Sequence, residues 1–287
     1  LRFAAVGARI VALDRDDAVL QGLTFADGAD VLRIACDVSN EADCIRAMAE
    51  ARRAFGGVDV LINNAGITHR SAFAATRPEV IRRVMEVNFF GALHCTHAAL
   101  EDLVARRGMV IAVSSVAGFA PLIARTGYAA SKHALHGFFD SLRTEVEPSG
   151  VKVLLVCPSF IQTGIEKNAL AGDGGLARHP QSIVGSRSTP EAMAERIFRA
   201  AEDEQRLLLP DRVSRLSWWV SRLAPRFYAR LMVKKLEKDL ADLQNQLNRL
   251  QKQMKDNQTL QDAAKGKLNM EVKKLETIRA KKLLKIE

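Results

Sequence analysis

The sequence predicts an α/β protein built on a doubly wound parallel sheet and followed by a helical tail. Short runs of Val, Ile and Leu with little polar alternation occur through residues 1–160, as in parallel strands that are buried on both faces. Longer segments with helical patterning separate these runs, and this alternation is typical of βαβ units. Beyond residue 232 one helical repeat takes over, so we predict two domains, 1–232 and 233–287.

The apolar runs and the segments between them give the predicted elements in chain order. Strands are expected at 9–13, 31–36, 58–62, 109–113, 151–157 and 206–210, and helices at 40–55, 78–107 and 128–147. Residues 164–189 are rich in Gly and Ser, and a loop of this length is often a lid over a site. A helix should follow the loop, with Ser188 or Thr189 as N-cap and Pro190 in its first turn.

The composition is that of a globular protein, with 48% hydrophobic and 26% charged residues. No apolar run approaches the roughly 18 residues of a membrane span, so we expect no transmembrane helix. No charged-then-apolar leader is present, so we expect no signal peptide. The four cysteines show no CxxC spacing. We therefore predict buried free thiols, a cytoplasmic protein and no metal site.

The use of basic residues changes along the chain. Residues 1–232 hold 25 Arg and only 3 Lys against 25 acidic residues, whereas residues 233–287 hold 2 Arg and 12 Lys against 8. This change predicts a domain boundary near residues 231–235 and a fusion of two sequence origins.

The tail carries an apolar repeat at spacings of three and four, which is typical of a coiled-coil seam. The repeat consists of Val233, Leu236, Leu240, Leu243, Leu247, Leu250 and Met254. It breaks near 255–259 and resumes at Leu268, so either an antiparallel hairpin of helices or one interrupted coiled coil fits. The tail has no aromatic residue on which bases could stack, which argues against nucleic-acid binding.

The stretch YAASK places Tyr128 and Lys132 four residues apart, on one face of a helix. A phenol with a pKa near 10 is a poor base at neutral pH, and a nearby ammonium favours the phenolate. Such a Tyr can exchange a proton with an alcohol or a ketone oxygen. The alternative is a chance pair on a solvated helix. Chance is a weaker explanation because residues 1–232 contain only three Lys.

Polar and small residues follow the predicted strands, where ligands bind in open α/β sheets. Ser114 and Ser115 follow one strand, and the segment 63–66 (NNAG) follows another. Asp37 could contact a base or cap the next helix, and Asp14 could accept hydrogen bonds from ribose hydroxyls. Asn88 lies on an otherwise apolar helical stretch, where a polar side chain needs partners. The serines and the NNAG segment could also be ordinary loop and turn residues.

In this order the residues resemble the motif set of the short-chain dehydrogenase/reductase family, from residue 1 to about 232. The resemblance implies a Rossmann-like fold and a catalytic tetrad of Asn88, Ser115, Tyr128 and Lys132. It also implies a cofactor site that shares Tyr128 and Lys132 and includes Asp14, Asp37, Val38, Asn64, Ala65, Gly66, Pro158, Ile161 and Thr163. Ser159 departs from the family pattern, because Gly is usual at that position.

The resemblance implies hydride transfer between a nicotinamide cofactor and a small alcohol or carbonyl substrate. Ser115 would orient the substrate oxygen, Tyr128 would be the general acid and base, and Lys132 would bind the nicotinamide ribose. Asn88 would hold a water in the proton relay. Asp14 favours NAD over NADP, although the neighbouring Arg15 could serve a phosphate.

The family begins with a strand and a Gly-rich loop that receives the pyrophosphate, and residues 1–8 resemble the end of the helix after that loop. We therefore expect a domain that lacks its first strand and its Gly-rich loop. The alternative function is a catalytically inactive, truncated fragment that assembles with partners through its coiled-coil tail.

Residues 212–232 are basic and contain Trp218, Trp219, Phe227 and Tyr228. The segment could contact a membrane surface peripherally, as in a reductase of lipophilic substrates. The favoured reading is a helix packed on its own domain or on a second subunit of a homo-oligomer.

Overall fold

The computed structural model describes residues 2–177 and 187–283, and these divide between two compact units, Leu1–Met232 and Val233–Glu287. The strands in the described part are β1 (Ile10–Asp14), β2 (Val31–Ala35), β3 (Val60–Asn63), β4 (Met109–Val113), β5 (Lys152–Val156) and β6 (Leu207–Leu208). The α-helices there are α1 (Asp17–Gln21), α2 (Glu41–Phe55), α3 (Pro78–Met85), α4 (Gly91–Arg106), α5 (Thr126–Val146), α6 (Pro190–Glu202), α7 (Arg212–Leu223) and α8 (Pro225–Leu283).

All strand pairs are parallel, which confirms the predicted α/β class. The strands form two sheets, one in the order β1-β2 and one in the order β3-β4-β5-β6. Ile10 lies opposite Val31 in the small sheet, and Met109 lies opposite Lys152 in the large one. Within the described part of the chain, no strand pairs with the free edge of β1 or of β3.

One apolar core joins the two sheets although no strand pairing does. Ile34 from β2 packs in the same cluster as Leu61, Val110 and Leu155 from the large sheet. The Arg52 Nε of α2 also donates to both carboxylate oxygens of Asp102 of α4, at 2.9 and 3.0 Å, which forms an ion pair. Packing between side chains therefore holds the small sheet to the rest of the unit.

Local sequence accounts for both ends of α2 and for the start of α6. Asn40 caps α2 by accepting a hydrogen bond from the Ala42 N–H, and Gly56 ends the helix with a φ of 81°. Thr189 caps α6 and Pro190 is its first residue, as the sequence predicts. Part of the predicted lid, residues 178–186, lies outside the described residues.

The prediction of one α-helix over 78–107 is wrong for the middle of that segment. The structure has α3, then a π-helical turn over Glu86–Phe90, then α4. This turn carries Asn88, whose side chain bonds to the backbone of Ile67. Widened turns of this kind are frequent at functional sites, and their hydrogen bonds leave little trace in hydrophobic periodicity.

The tail is part of α8, which runs without interruption through residues 255–259. A helical hairpin does not describe this segment, because these residues include neither Pro nor Gly and continue the helix. Val233, Leu250 and Met254 are exposed in the single chain, so a coiled-coil pairing stays a prediction. No helix in the described residues is long and apolar enough to cross a membrane.

Candidate active site

The carboxyl ends of β3, β4 and β5 meet the first turns of α5 at one edge of the large sheet. Residues 63–66 follow β3, Ser114 and Ser115 follow β4, and Pro158 follows β5 shortly after its last residue. Parallel strands end on the same side of a sheet, so the fold gathers these residues. The edge is the place where ligands bind in open α/β proteins.

Tyr128 and Lys132 lie on the buried face of α5, with only 9% and 4% of their surfaces exposed. The Lys132 Nζ lies 5.9 Å from the centroid of the Tyr128 ring. The same ammonium donates a hydrogen bond of 2.7 Å to the Val113 carbonyl at the end of β4. That bond fixes the lysine side chain and leaves two of its N–H groups for other acceptors.

Burial controls the protonation of both residues. It raises the pKa of Tyr128, while a hydrogen bond with Ser115 and the charge of Arg125 act in the opposite direction. It also lowers the pKa of Lys132 to about 8. The Tyr128 pKa is thus raised, whereas the sequence predicted a fall, because burial outweighs both the Ser115 side chain and the charge of Arg125.

The two serines after β4 point to different partners. The Ser115 Oγ accepts from the Ala117 N–H at 3.2 Å, and the same side chain acts to lower the pKa of Tyr128. Ser114 instead donates to the Lys132 carbonyl at 3.3 Å, which turns it toward the backbone of α5. Of the two hydroxyls, only Ser115 contacts the predicted acid and base.

Asn88 is 1% exposed and uses its whole amide group. Its Oδ1 accepts from the Ile67 N–H at 2.8 Å, and its Nδ2 donates to the Ile67 carbonyl at 3.0 Å and to Ser131 Oγ at 2.9 Å. Ser131 in turn donates to the Tyr128 carbonyl at 2.8 Å. Asn88 thus connects the loop after β3 to the helix that carries Tyr128, and both of its N–H groups are occupied by protein.

Asp14, predicted to contact the adenosine ribose, ends β1 with its carboxylate exposed. Its Oδ1 accepts from the Asp16 N–H at 3.0 Å, and its other oxygen has no hydrogen bond within the described structure. Arg15 lines the adjacent cleft, which lies at the ends of β1 and β2. Arg15 thus lines this cleft, and the exposed Asp14 carboxylate directly precedes it in the sequence.

Asp37 lines the same cleft after β2. Its Oδ1 accepts from the Ser39 hydroxyl at 2.7 Å, and this bond holds the pKa of Asp37 below its usual range. The helix cap that Asp37 could have supplied comes from Asn40 instead. Val38 packs against the start of α4, where the side chain of any residue other than glycine at Gly91 would collide with it.

Residues 64–66 form the exposed end of the loop after β3, next to the catalytic candidates. Asn64 and Ala65 are exposed. A Cβ added to Gly66 would lie 3.4 Å from Asn88 Oδ1 and 3.7 Å from Lys132 Nζ. Gly66 therefore brings the backbone of this loop close to the Lys132 ammonium.

The segment after β5 is anchored at its first residue. Pro158 is buried and its carbonyl accepts from the Val116 N–H at 3.1 Å. Ser159, where the family pattern has Gly, donates its N–H to Asp211 Oδ2 at 3.2 Å without a positive φ. Ile161 pairs with Ser188, and Thr163 is exposed.

Sequence reasoning missed three buried or partly buried residues beside Tyr128. His69 is fully buried and its Nε2 accepts from the Gly127 N–H at 2.9 Å, while burial and the charge of Arg125 lower the pKa of His69. Arg125 donates to Thr68 Oγ1 at 3.2 Å, and its guanidinium carbon lies 6.0 Å from the Tyr128 ring centroid. The only sequence signal for these residues was the polar pair Thr68 and His69, which follows the NNAG segment.

The described residues fit two parts of a nicotinamide dinucleotide. Lys132, Tyr128 and Gly66 suit the nicotinamide ribose, since they combine free donors with a close backbone. Asp14 suits the adenosine ribose hydroxyls. Among residues 2–177 and 187–283, no Gly-rich turn lies between these two places to receive the pyrophosphate.

Comparison with known proteins agrees with this geometry. The family model described as short chain dehydrogenase matches residues 1–173. The chain belongs to the short-chain dehydrogenase/reductase family, which makes it a member of an oxidoreductase family.

Individual relatives and solved structures similar to this chain are also dehydrogenases or reductases. Dehydrogenase/reductase SDR family member 7B of Bos taurus is 36% identical over 248 residues, which cover 83% of this chain and 76% of the relative. A gluconate 5-dehydrogenase from Burkholderia cenocepacia, solved with NADP and tartrate, has a TM-score of 0.53 and 26% identity, covering 57% of this chain and 66% of that one. A short-chain dehydrogenase/reductase from Burkholderia phymatum, solved with NAD, shares the fold with a TM-score of 0.69 and 22% identity, covering 79% and 88%.

Proposed function

We propose that the chain interconverts an alcohol and a carbonyl compound with a nicotinamide cofactor. The observation that carries this proposal is the buried group of Ser115, Tyr128 and Lys132 at the carboxyl edge of the large sheet. When bound, the cofactor supplies the hydride acceptor or donor. The protein has to bind the reacting oxygen and to move one proton.

In the oxidative direction the substrate hydroxyl would lie between Ser115 and Tyr128. The Ser115 Oγ–H donates to the substrate oxygen and orients it. The substrate O–H proton passes to the Tyr128 phenolate as the C–H bond gives up its hydride, so a carbonyl and a neutral phenol result. The reverse direction returns the phenol proton to the carbonyl oxygen.

Lys132 prepares Tyr128 for this exchange. Burial alone favours the neutral phenol, and a charged ammonium 5.9 Å from the ring lowers the cost of the phenolate. The free N–H groups of Lys132 would hold the hydroxyls of the nicotinamide ribose. Asn88 positions the loop before Thr68 and, through Ser131, the first turn of α5.

We further propose NAD as the preferred cofactor. The free oxygen of Asp14 can accept a ribose hydroxyl and would repel a 2′-phosphate, whereas Arg15 would attract one. The two structural neighbours contain NADP and NAD, one each, so the preference rests on Asp14 of this chain. Asp14→Asn should then weaken NAD binding and narrow its advantage over NADP; an unchanged ratio of the two affinities would contradict the assignment.

The two tyrosines of the chain provide a matched test. Tyr128→Phe should abolish turnover, whereas calorimetry should still detect NAD binding, because Lys132, Gly66 and Asp14 keep their contacts with the cofactor. Tyr228→Phe removes the same hydroxyl from the other buried tyrosine, which packs with Val116 and Ala120, and should leave turnover unchanged. Retained turnover in Tyr128→Phe would refute the acid and base role.

The same calorimetry separates the enzyme from the inactive assembly module. Micromolar binding of NAD or NADH to the 287-residue chain supports the oxidoreductase and excludes the inactive fragment. Absence of binding to either dinucleotide at millimolar concentration would leave the assembly module as the better description.

A further inference from the structure

The segment formed by α7 and the first turns of α8 has two apolar faces, and its own domain covers one of them. The Trp218 ring meets Phe119 edge-on at a centroid distance of 4.9 Å. Tyr228 of α8 is buried in a cluster with Val116 and Ala120, and Val220 of α7 packs against the same cluster. Both helices therefore lie on one patch of the domain. This packing agrees with the sequence prediction of a helix that packs on its own domain.

The outward side of the same two helices carries five large apolar side chains that the domain leaves uncovered. Their exposed fractions run from 42% to 77%, and they are Leu216, Trp219, Leu223, Phe227 and Leu231. Spacings of three and four within each helix place them on one stripe per helix. We call these two exposed stripes together the α7–α8 face.

Arginines run beside the α7–α8 face. An Arg directly precedes four of its five apolar residues, at positions 215, 222, 226 and 230, and Arg212 begins α7. All five guanidinium side chains are exposed, and among the described residues none has an acidic partner. Residues 212–232 contain no Asp or Glu at all. The apolar stripe is thus bordered by uncompensated positive charge.

We propose that the α7–α8 face binds the surface of a membrane that contains anionic lipids. Large apolar side chains beside a row of cations are the pattern of a helix that lies in the membrane interface. Leu, Phe and Trp enter the boundary between headgroups and acyl chains, while the arginines bind lipid phosphates as bidentate partners. Trp219 suits this depth because its ring is apolar and its indole N–H is polar.

A second copy of this chain fits the face less well. A symmetric dimer places the same patch of both subunits together, so ten arginines without an acidic residue of this segment would meet across the interface. Like charges in such a contact oppose association. An anionic lipid surface satisfies the apolar stripe and the charge together.

Vesicle sedimentation of the 287-residue chain tests the proposal. The chain should sediment with phosphatidylcholine vesicles that contain roughly a third phosphatidylglycerol, and only weakly with phosphatidylcholine alone, since each arginine near an anionic surface contributes about fivefold in affinity. Trp219→Ser with Leu223→Ser should lower the partition coefficient by about tenfold or more. Arg226→Gln with Arg230→Gln should lower it by a similar factor at low salt.

The lysine-rich tail requires its own controls, because it could bind anionic vesicles by charge alone. Leu268→Ser with Val272→Ser changes two exposed apolar residues of the tail at the same spacing, and Lys265→Gln with Lys267→Gln removes two exposed charges. Neither pair should change the partition coefficient more than about twofold. Circular dichroism establishes that every variant keeps its helix content.

Fluorescence provides a second readout. The emission of the wild-type chain should shift to the blue on adding the anionic vesicles, and Trp219→Phe should bind with little of this shift, because Trp218 already packs inside the domain. If the double variant Trp219→Ser, Leu223→Ser binds the anionic vesicles as strongly as the wild-type chain does, that result would overturn the proposal. So would light scattering that shows these substitutions dissolving a dimer while vesicle binding stays the same.

Discussion

The approach of α4 to the loop after β2 can be tested by one methyl group. A Cβ on Gly91 would lie 2.6 Å from Val38 Cγ2 and 3.0 Å from Val38 Cβ. Valine is stiff at χ1, so it cannot rotate away freely and the backbone must shift. Overpacking of this kind costs about 1–3 kcal/mol, and the gain in helix propensity returns about 0.5–1 kcal/mol. Gly91→Ala should therefore lower the free energy of unfolding, by up to about 2.5 kcal/mol.

Gly137 is the matched control, because a Cβ added there meets nothing within 4 Å and the residue is exposed inside α5. Gly137→Ala should raise the free energy of unfolding by about 0.5–1 kcal/mol. Urea titration followed by circular dichroism measures both variants. Removing the obstacle with Val38→Ala should reduce the penalty of Gly91→Ala in a double-mutant cycle. A change of the same sign in the two glycine variants, or no coupling with Val38, would refute the reasoning.

Three further outcomes follow from buried polar groups. Asn88→Ala should lower the free energy of unfolding by about 2–4 kcal/mol in the same titration, because three hydrogen bonds are lost and Ile67 keeps polar atoms without partners; a loss below about 1 kcal/mol would contradict this. Burial lowers the pKa of His136 to about 4, so between its unfolded value of about 6.5 and pH 4 the unfolded chain binds the extra proton and stability falls as the pH falls. His136→Gln should flatten that part of the pH profile, and an identical slope would exclude His136 as its source. The four cysteines are buried and free, so an aromatic disulfide reagent should label them only after unfolding, and rapid labelling of the native chain would be inconsistent with the packing.

The sequence predicted elements where one side chain pattern dominates. β4 matches its prediction residue for residue, because all five positions are apolar and at most partly exposed. β3 begins two residues later than predicted, at Val60, since strand ends depend on partners that periodicity does not show. The five-residue α1 was not predicted at all. Its cap at Asp16 is clear in the structure, but one turn is too short to show a period.

The candidate site was predictable where spacing implies contact. Tyr128 and Lys132 share a helix face because they are four residues apart. The amide bonds of Asn88 to Ile67 could not be predicted, because they cross 21 positions of sequence. The same holds for His69 and Gly127, which lie 58 positions apart. Burial, which sets the direction of the Tyr128 pKa, is likewise a property of the folded chain.

The separation of β1 and β2 from the large sheet has a consequence for local unfolding. Among the described residues, no backbone hydrogen bond joins this pair of strands to β3–β6. Side-chain contacts, namely the apolar core and the Arg52–Asp102 ion pair, resist its opening instead. A cooperative unit of this type opens at a lower free energy than the sheet beside it, and its amides exchange with solvent first. Asp14 and Asp37 belong to that unit. A dinucleotide held at both Asp14 and Lys132 would bridge the less stable and the more stable part of the domain, and would slow amide exchange most in β1 and β2.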